Sequence, residues 1–567
     1  MTTVGLRPAG PGLARVGRVA VVAIPVGFLL VLFVYPLATI VVTGLVGGRG
    51  IAPKPFADII TDPGLRGVLW FTVWQAVVST ALTLVVGMPG AYVFARLDFP
   101  GRSVLRAAVT VPFVLPTVVV AAAFTALLGS RSPFGGALAA LGVPGGRLTG
   151  TIWAVLIAHV FFNYAVVIRT VGGLWSHLDP RTEEAARTLG ATPWQVFREV
   201  TLPLLRPAIA AAAAIVFLFT FTSFGVVLLL GGPRLATVEV EIYRATAQLL
   251  DLRTAAVLAM VQLVGVVAAL LVYGRLRRGR AGRQQLATAR RTAHRPRGGE
   301  RVFLGANLAV MALLLGTPLA VLVERSFRTA DGYGLTWYRA LGDNPRGSLL
   351  FVPPWEAVAN SLGFATVSTA IAVVVGGAAA VVVTARRRGG RSGAAARALD
   401  TVLMLPLGTS AVTIGFGFLI ALDRPPLDLR GTVALVPLAQ ALVAVPFVVR
   451  LMVPVIEAID VRLREAAATL GAPPWRVWRE IDLPIVTRAL TVAAGFAFAV
   501  SLGEFGATVF LARADRPTVP VAIFRLLGQP GAANLGQAMA LSTILMVLTA
   551  TAMLAIERFR ARGVGEF

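Results

Sequence analysis

The stretch EAARTLGATPWQVFREVTLP, residues 184–203, recurs as EAAATLGAPPWRVWREIDLP, residues 465–484. Fourteen of these 20 positions are identical at a constant offset of 281. Outward from the motif the offset persists: Arg169 maps onto Arg450, Phe224-Gly225 onto Phe505-Gly506, and Ile242-Tyr243-Arg244 onto Ile523-Phe524-Arg525. Upstream, VSTA at 78–81 matches VSTA at 367–370 with an offset of 289, and the difference is absorbed where 129–147 faces only 423–430. The chain is therefore a duplication. Loops generally vary more than the elements they join, so a loop kept this closely in both copies carries function.

The surroundings of the motif are apolar. Of 567 residues, 57% are hydrophobic and only 14% are charged, whereas a soluble domain keeps roughly a quarter of its residues charged. A membrane helix needs about 20 apolar residues. Runs of that kind lie at 19–48, 67–95, 107–130, 148–168, 207–233, 254–274, 302–323, 357–385, 401–422, 431–449 and 526–556, with a twelfth at 489–512 broken only by Glu504. The first run far exceeds the core of a signal peptide and reads as a retained span. Six spans per copy make the copies parallel, with a pathway expected at their interface. The expected fold is an all-α integral membrane protein of about twelve transmembrane helices in two six-helix repeats. The first half is 1–274 with its core at 67–274, 275–301 is an Arg-rich cytoplasmic linker, and the second half is 302–567 with its core at 357–557.

The formal charge of +25 is consistent with this layout. With the N-terminus inside, 35 of the 52 basic residues fall in segments on that side, both duplicated motifs included, as the positive-inside rule requires. Both termini are then cytoplasmic, and the basic excess marks topology rather than nucleic-acid binding. Cysteine is absent, which excludes disulfides and thiolate chemistry. The only lysine, Lys54, sits in APKPF, so no phosphate-cradling GxxxxGK[ST] loop exists. His159, His177 and His294 are scattered, no metal-ligand spacing occurs, and no catalytic residues are expected.

Within the motif, Arg181 to Leu189 reads as a short helix, Gly190 as a left-handed cap, and Thr192-Pro193 as the start of a second helix that Pro203 stops. The second copy repeats this with Gly471, Pro473-Pro474 and Pro484.

Glu184-Ala185-Ala186 with Gly190 and Leu202-Pro203, and Glu465-Ala466-Ala467 with Gly471 and Leu483-Pro484, resemble the EAA loops of permease subunits in binding-protein-dependent ABC importers of the type I fold. The resemblance implies a coupling helix in each copy that docks on a separate ATP-binding subunit, with two copies of that subunit per chain. Glu184 and Glu465 would make polar contacts there, and Gly190 and Gly471 would set the turn. Trp194 and Trp475 are either interface anchors or headgroup anchors. ATP and Mg would belong to the partner, no cofactor to this chain. An extracytoplasmic substrate-binding protein is the other implied partner, and the cell's cytoplasmic membrane the location.

Glu504, in SLGEFG, is the acid inside a predicted span, and its repeat partner is Ser223 in FTSFG. An intramembrane carboxylate is a functional candidate by default. Glu504 and Ser223 are either on the translocation pathway or, for the carboxylate, hydrogen-bonded to neighbouring chain. Arg169 and Arg450 read as snorkelling to headgroups. His159, Asn163, Gln262, Asn360 and Gln440 either bond between helices or line a pore. TSFGVVLLLGG (222–232) with VEVEIYRA (238–245), and SLGEFGATVFL (501–511) with TVPVAIFRLLG (518–528), look like the fused thiamine and iron(III) group, the first pair leaning towards thiamine. A permease for another small solute or anion is the alternative within that class. A secondary transporter would leave the duplicated loops unexplained, and a channel would need a charged ring that the halves do not repeat.

Overall fold

A computed structural model describes residues 21–47, 50–51, 61–129, 132, 134–143, 146–278, 293–343, 350–388, 409–423, 425 and 427–561. Apart from two antiparallel hairpins of two-residue strands, the regular structure among them is helical. Among the described residues, ten helices are long and apolar enough to cross a membrane: Val21–Leu45, Pro63–Arg96, Ile152–Trp175, Pro193–Phe221, Leu252–Val272, Gly299–Phe327, Pro354–Thr384, Leu435–Ala458, Trp475–Gly503 and Ala532–Ile556.

Two of the twelve runs are not among these ten. The run 107–130 is split into Arg102–Val114 and Thr117–Leu128, bent by 101°. Leu115 precedes Pro116 and adopts φ −62° and ψ 140°; the proline ring disfavours helical geometry at that residue, and the chain turns there. The corresponding run 401–422 is described only from residue 409, where Ala411–Ala421 is helical. The linker 275–301 lies partly outside the described residues.

Proline also corrects the expectation for the duplicated loops. Pro203 and Pro484 do not stop a helix; each is the second residue of the next one, Leu202–Phe221 and Leu483–Gly503. The chain enters both helices through a π-type turn, Val196–Thr201 and Trp478–Asp482. A proline ring clashes with the carbonyl four residues earlier, and widening that turn relieves the clash without ending the helix. The same device recurs at Leu30–Val34 before Pro36 and at Ala312–Gly316 before Pro318.

The repeat extends further than the identities in the sequence. The hairpin pairing Val46 with Ile51 and Gly47 with Gly50 is matched by one pairing Arg328 with Tyr333 and Thr329 with Gly332, an offset of 282. Helix contacts repeat as well. A Cβ on Gly87 would lie 2.8 Å from the Val167 side chain, and one on Gly376 the same distance from Val448. Small residues let membrane helices approach closely, since packing rather than the hydrophobic effect holds them together in lipid.

Two compact units result, and each takes segments from both sides of the linker. One comprises Met1–Val42, Ala359–Arg513 and Thr551–Phe567; the other comprises Thr43–Val358 and Ala514–Ala550. In the first unit, Leu29, Leu32 and Phe33 of the opening helix share a core with Phe364, Ala372, Val436 and Val448. In the second, Ala91, Ala95, Val167, Val171, Trp175, Leu205 and Ala208 pack three spans together beneath the first duplicated loop.

Candidate functional site

The two duplicated loops are built alike from the backbone upward. In the first, Asp179 caps the helix Pro180–Thr188 by accepting the Arg181 amide at 3.0 Å. Gly190 then adopts φ +88°, and the amides of Gly190 and Ala191 turn back to the carbonyls of Arg187 and Ala186 at 2.9 and 3.1 Å. In the second, Asp460 accepts the Arg462 amide at 2.9 Å before Val461–Thr469, and Gly471 adopts φ +81°. The amides of Gly471 and Ala472 reach the carbonyls of Ala468 and Ala467, each at 3.0 Å. Glycine is needed where φ is positive because a Cβ there meets the carbonyl. The restart differs: Thr192 and Gln195 form a reciprocal cap, while the second copy has Pro473 in place of the threonine.

Around each turn the side chains face outward. Glu184, Ala185, Glu465 and Ala466 are exposed. Leu189 and Leu470 are both 88% exposed, and Trp194 and Trp475 are 67% and 62% exposed. Trp194 stacks on Phe197 and Trp475 on Trp478, both with centroids 5.7 Å apart. Each glycine turn thus carries an exposed leucine on one side and an exposed tryptophan on the other. Exposed rings of this kind suit a protein interface and a membrane headgroup layer alike.

A second pair of positions ties each loop to the span that follows, and sequence reasoning missed it. Glu183 Oε1 accepts from Thr201 Oγ1 at 3.0 Å and pairs with Arg96 Nη2 at 3.0 Å. At the equivalent positions, Arg464 and Asp482 form an ion pair at 2.8 Å. The same two sites are joined in both copies by different chemistry. Opposite charges 18 residues apart in one copy, facing a carboxylate and a hydroxyl in the other, were the available signal.

Ser223 and Glu504 each follow the last turn of an apolar span, in breaks ahead of the short helices Gly225–Leu230 and Thr508–Leu511. Ser223 Oγ lies 2.8 Å from His159 Nε2, whose Nδ1 lies 2.9 Å from Ser79 Oγ, so one buried imidazole joins three segments. Glu504 is 7% exposed. Its carboxylate oxygens accept the amides of Ala507 and Thr508 at 2.7 and 3.0 Å. The carboxylate is therefore turned onto its own chain, where it caps the break. A further buried acid escaped the count of spans: Glu239, fully buried, accepts from Gln262 Nε2 at 2.9 Å. Of the other polar groups in spans, Asn163 donates to the His159 carbonyl at 2.9 Å, and Arg169 and Arg450 are exposed.

Residues 84–280 match the family described as binding-protein-dependent transport system inner membrane component. The chain is 30% identical over 504 residues to the thiamine transport system permease protein ThiP of Brucella abortus (strain 2308), spanning 88% of this chain and 89% of that protein. The chain belongs to this permease family. The permease is also 27% identical over 512 residues to the ThiP protein of Escherichia coli (strain K12), covering 89% of this chain and 90% of that one. It is 35% identical over 175 residues to the sulfate transport system permease protein CysT of the same organism, across 31% of this chain and 62% of the relative. A crystal structure of a bacterial ABC transporter that imports alginate aligns at 17% identity and a TM-score of 0.39, covering 48% of the permease and 98% of that chain. The permease is thus a multi-pass, predominantly helical transport subunit of the inner membrane, and the duplicated loop of its first half lies inside the matched region.

Proposed function

We propose that this permease is the fused transmembrane subunit of an ATP-driven importer whose solute is thiamine. Each of the two loops takes one copy of an ATP-binding subunit, which holds the ATP and Mg and performs the hydrolysis. A separate extracytoplasmic binding protein delivers the solute. The observation that carries the reading is the matched pair of outward-facing turns, Leu189 and Trp194 about Gly190 and Leu470 and Trp475 about Gly471. Two equal docking sites on one chain fit a motor of two equal subunits. The chain itself carries no GxxxxGK[ST] loop. Similarity along 88% of the chain to a thiamine permease supports the choice of solute. The breaks at Ser223 and Glu504 are proposed to border the route, with the Glu504 charge favouring a cationic solute.

The test is reconstitution of the permease with the co-purifying ATP-binding and solute-binding proteins in vesicles. Saturable, ATP-dependent uptake of labelled thiamine is expected, and inactivating the ATPase should abolish it. Uptake that survives ATPase inactivation refutes the importer reading. A binding protein that takes ferric iron and ignores thiamine refutes the solute alone.

A further inference from the structure

Arg96 stands at a junction that the importer reading leaves unused. It ends the helix Pro63–Arg96 and is 4% exposed, although a lone charge at the end of a membrane helix ordinarily reaches for solvent. Its guanidinium is held from two sides of the first duplicated loop: Nη1 donates to the Leu178 carbonyl at 3.2 Å and Nη2 to Glu183 Oε1 at 3.0 Å. Its backbone is held by the distal end of the linker. The His294 amide donates to the Arg96 carbonyl at 2.9 Å and the Asp98 amide to the His294 carbonyl at 2.8 Å, pairing Leu97 with His294 as in a parallel ladder.

The linker end is secured in turn. Glu300, in the first turn of the helix beginning at Gly299, accepts from the Arg297 amide at 3.1 Å and from Tyr92 OH at 3.2 Å. His294 Nε2 lies 3.0 Å from the same carboxylate. An aromatic series runs parallel to these polar links. Trp194 stacks on Phe197, Phe197 lies 6.3 Å from Trp175, Trp175 meets Tyr92 edge-on at 5.4 Å, and Tyr92 meets Phe303 at 5.7 Å. The exposed docking tryptophan is thereby joined through ring contacts to the helix that opens the second half. By the repeat offsets, Ala385 and Ile456 occupy the positions of Arg96 and Trp175, so this linkage belongs to the first copy.

We propose that Arg96 and Glu183 are positioning residues that join the first docking loop, the end of the helix Pro63–Arg96 and the distal end of the linker into one block. A displacement of the loop then moves that helix and the start of the second half together. The inference rests on the importer reading, because the displacement comes from the ATP-binding partner.

The experiment compares the full chain, reconstituted with its ATP-binding and binding proteins, with Glu183→Gln and with the exchange Arg96→Glu plus Glu183→Arg. The readouts are recovery of the complex, ATP hydrolysed and solute taken up. The expected result for Glu183→Gln is normal recovery, ATPase within about twofold of the unsubstituted complex, and uptake per ATP reduced about tenfold. The exchanged pair should restore at least half of the ratio. An unchanged ratio in Glu183→Gln, or no restoration by the exchange, overturns the proposal. Should the variants fail to assemble, the unsubstituted complex still decides the matter by deuterium uptake with and without nucleotide. Segments 92–98, 178–189 and 294–301 are expected to change protection together, and independent changes overturn the proposal. Failure of the importer reading shows differently, as an unsubstituted chain that does not couple uptake to ATP.

Discussion

At the scale of single residues, the two glycine turns make the firmest prediction. Gly190 and Gly471 sit at φ +88° and +81°, where an L side chain costs about 1–2 kcal/mol. Gly190→Ala and Gly471→Ala are each expected to weaken capture of the ATP-binding subunit by roughly tenfold, read as its co-purification with the permease. Glu504 is a second case. Glutamine at 504 puts an amide N–H₂ where one carboxylate oxygen now accepts a backbone amide, and a lost charge-assisted hydrogen bond costs about 1.5–3 kcal/mol. Glu504→Gln is expected to lower the thermal midpoint of the detergent-solubilised permease by several degrees. Uptake and solute-stimulated ATPase measured on the same variant test the pathway role, which unchanged values of both would end. The turns were legible from sequence because glycine, threonine and proline carry their geometry locally. The Arg96–Glu183 pair was not, since its members are 87 residues apart and a cation at a helix end reads as snorkelling.

At the scale of elements, the proposed docking surface and the close helix pairs can be tested separately. Trp194→Ala removes an exposed ring beside the turn. If that ring anchors the partner, the loss is about 2 kcal/mol, roughly thirtyfold in affinity for the ATP-binding subunit. An affinity unchanged by this substitution and by Trp475→Ala would assign both rings to lipid headgroups. Gly87→Val and Gly376→Val place a branched side chain 2.8 Å from Val167 and Val448. Overpacking of this kind costs about 1–3 kcal/mol, and both variants should show reduced recovery from the membrane. Hydropathy located the apolar runs well because length and composition alone define them. It does not register what proline does inside them. At Pro116 the preceding residue leaves the helix and the run bends, whereas at Pro203 a widened turn keeps the helix going.

For the whole molecule, the expected sidedness is open to a direct test because the chain contains no cysteine. Arg187→Cys, on the first duplicated loop, is expected to react with a membrane-impermeant thiol reagent only after the cells are permeabilised. Asp331→Cys, in the second hairpin, should react from outside intact cells. The reverse pattern would overturn the assignment of both termini to the cytoplasm. The duplication was visible in the sequence over the spans that flank the motif. Its reach to the opening helices emerged from the hairpins and π-type turns, whose geometry repeats at an offset of 282 while their residues largely differ.

The opening helix also has a history during synthesis. Leu29, Leu32 and Phe33 find their core against residues from Phe364 onward, which the ribosome adds more than 300 residues later. At about 5–20 residues per second, these three side chains wait roughly 15–60 s in the bilayer before their core partners exist. Throughout that interval lipid takes the place of protein around Leu29, Leu32 and Phe33. Translation that stalls after the linker would leave that helix without its proper company, exposed to quality-control proteases although every residue it contains is correct.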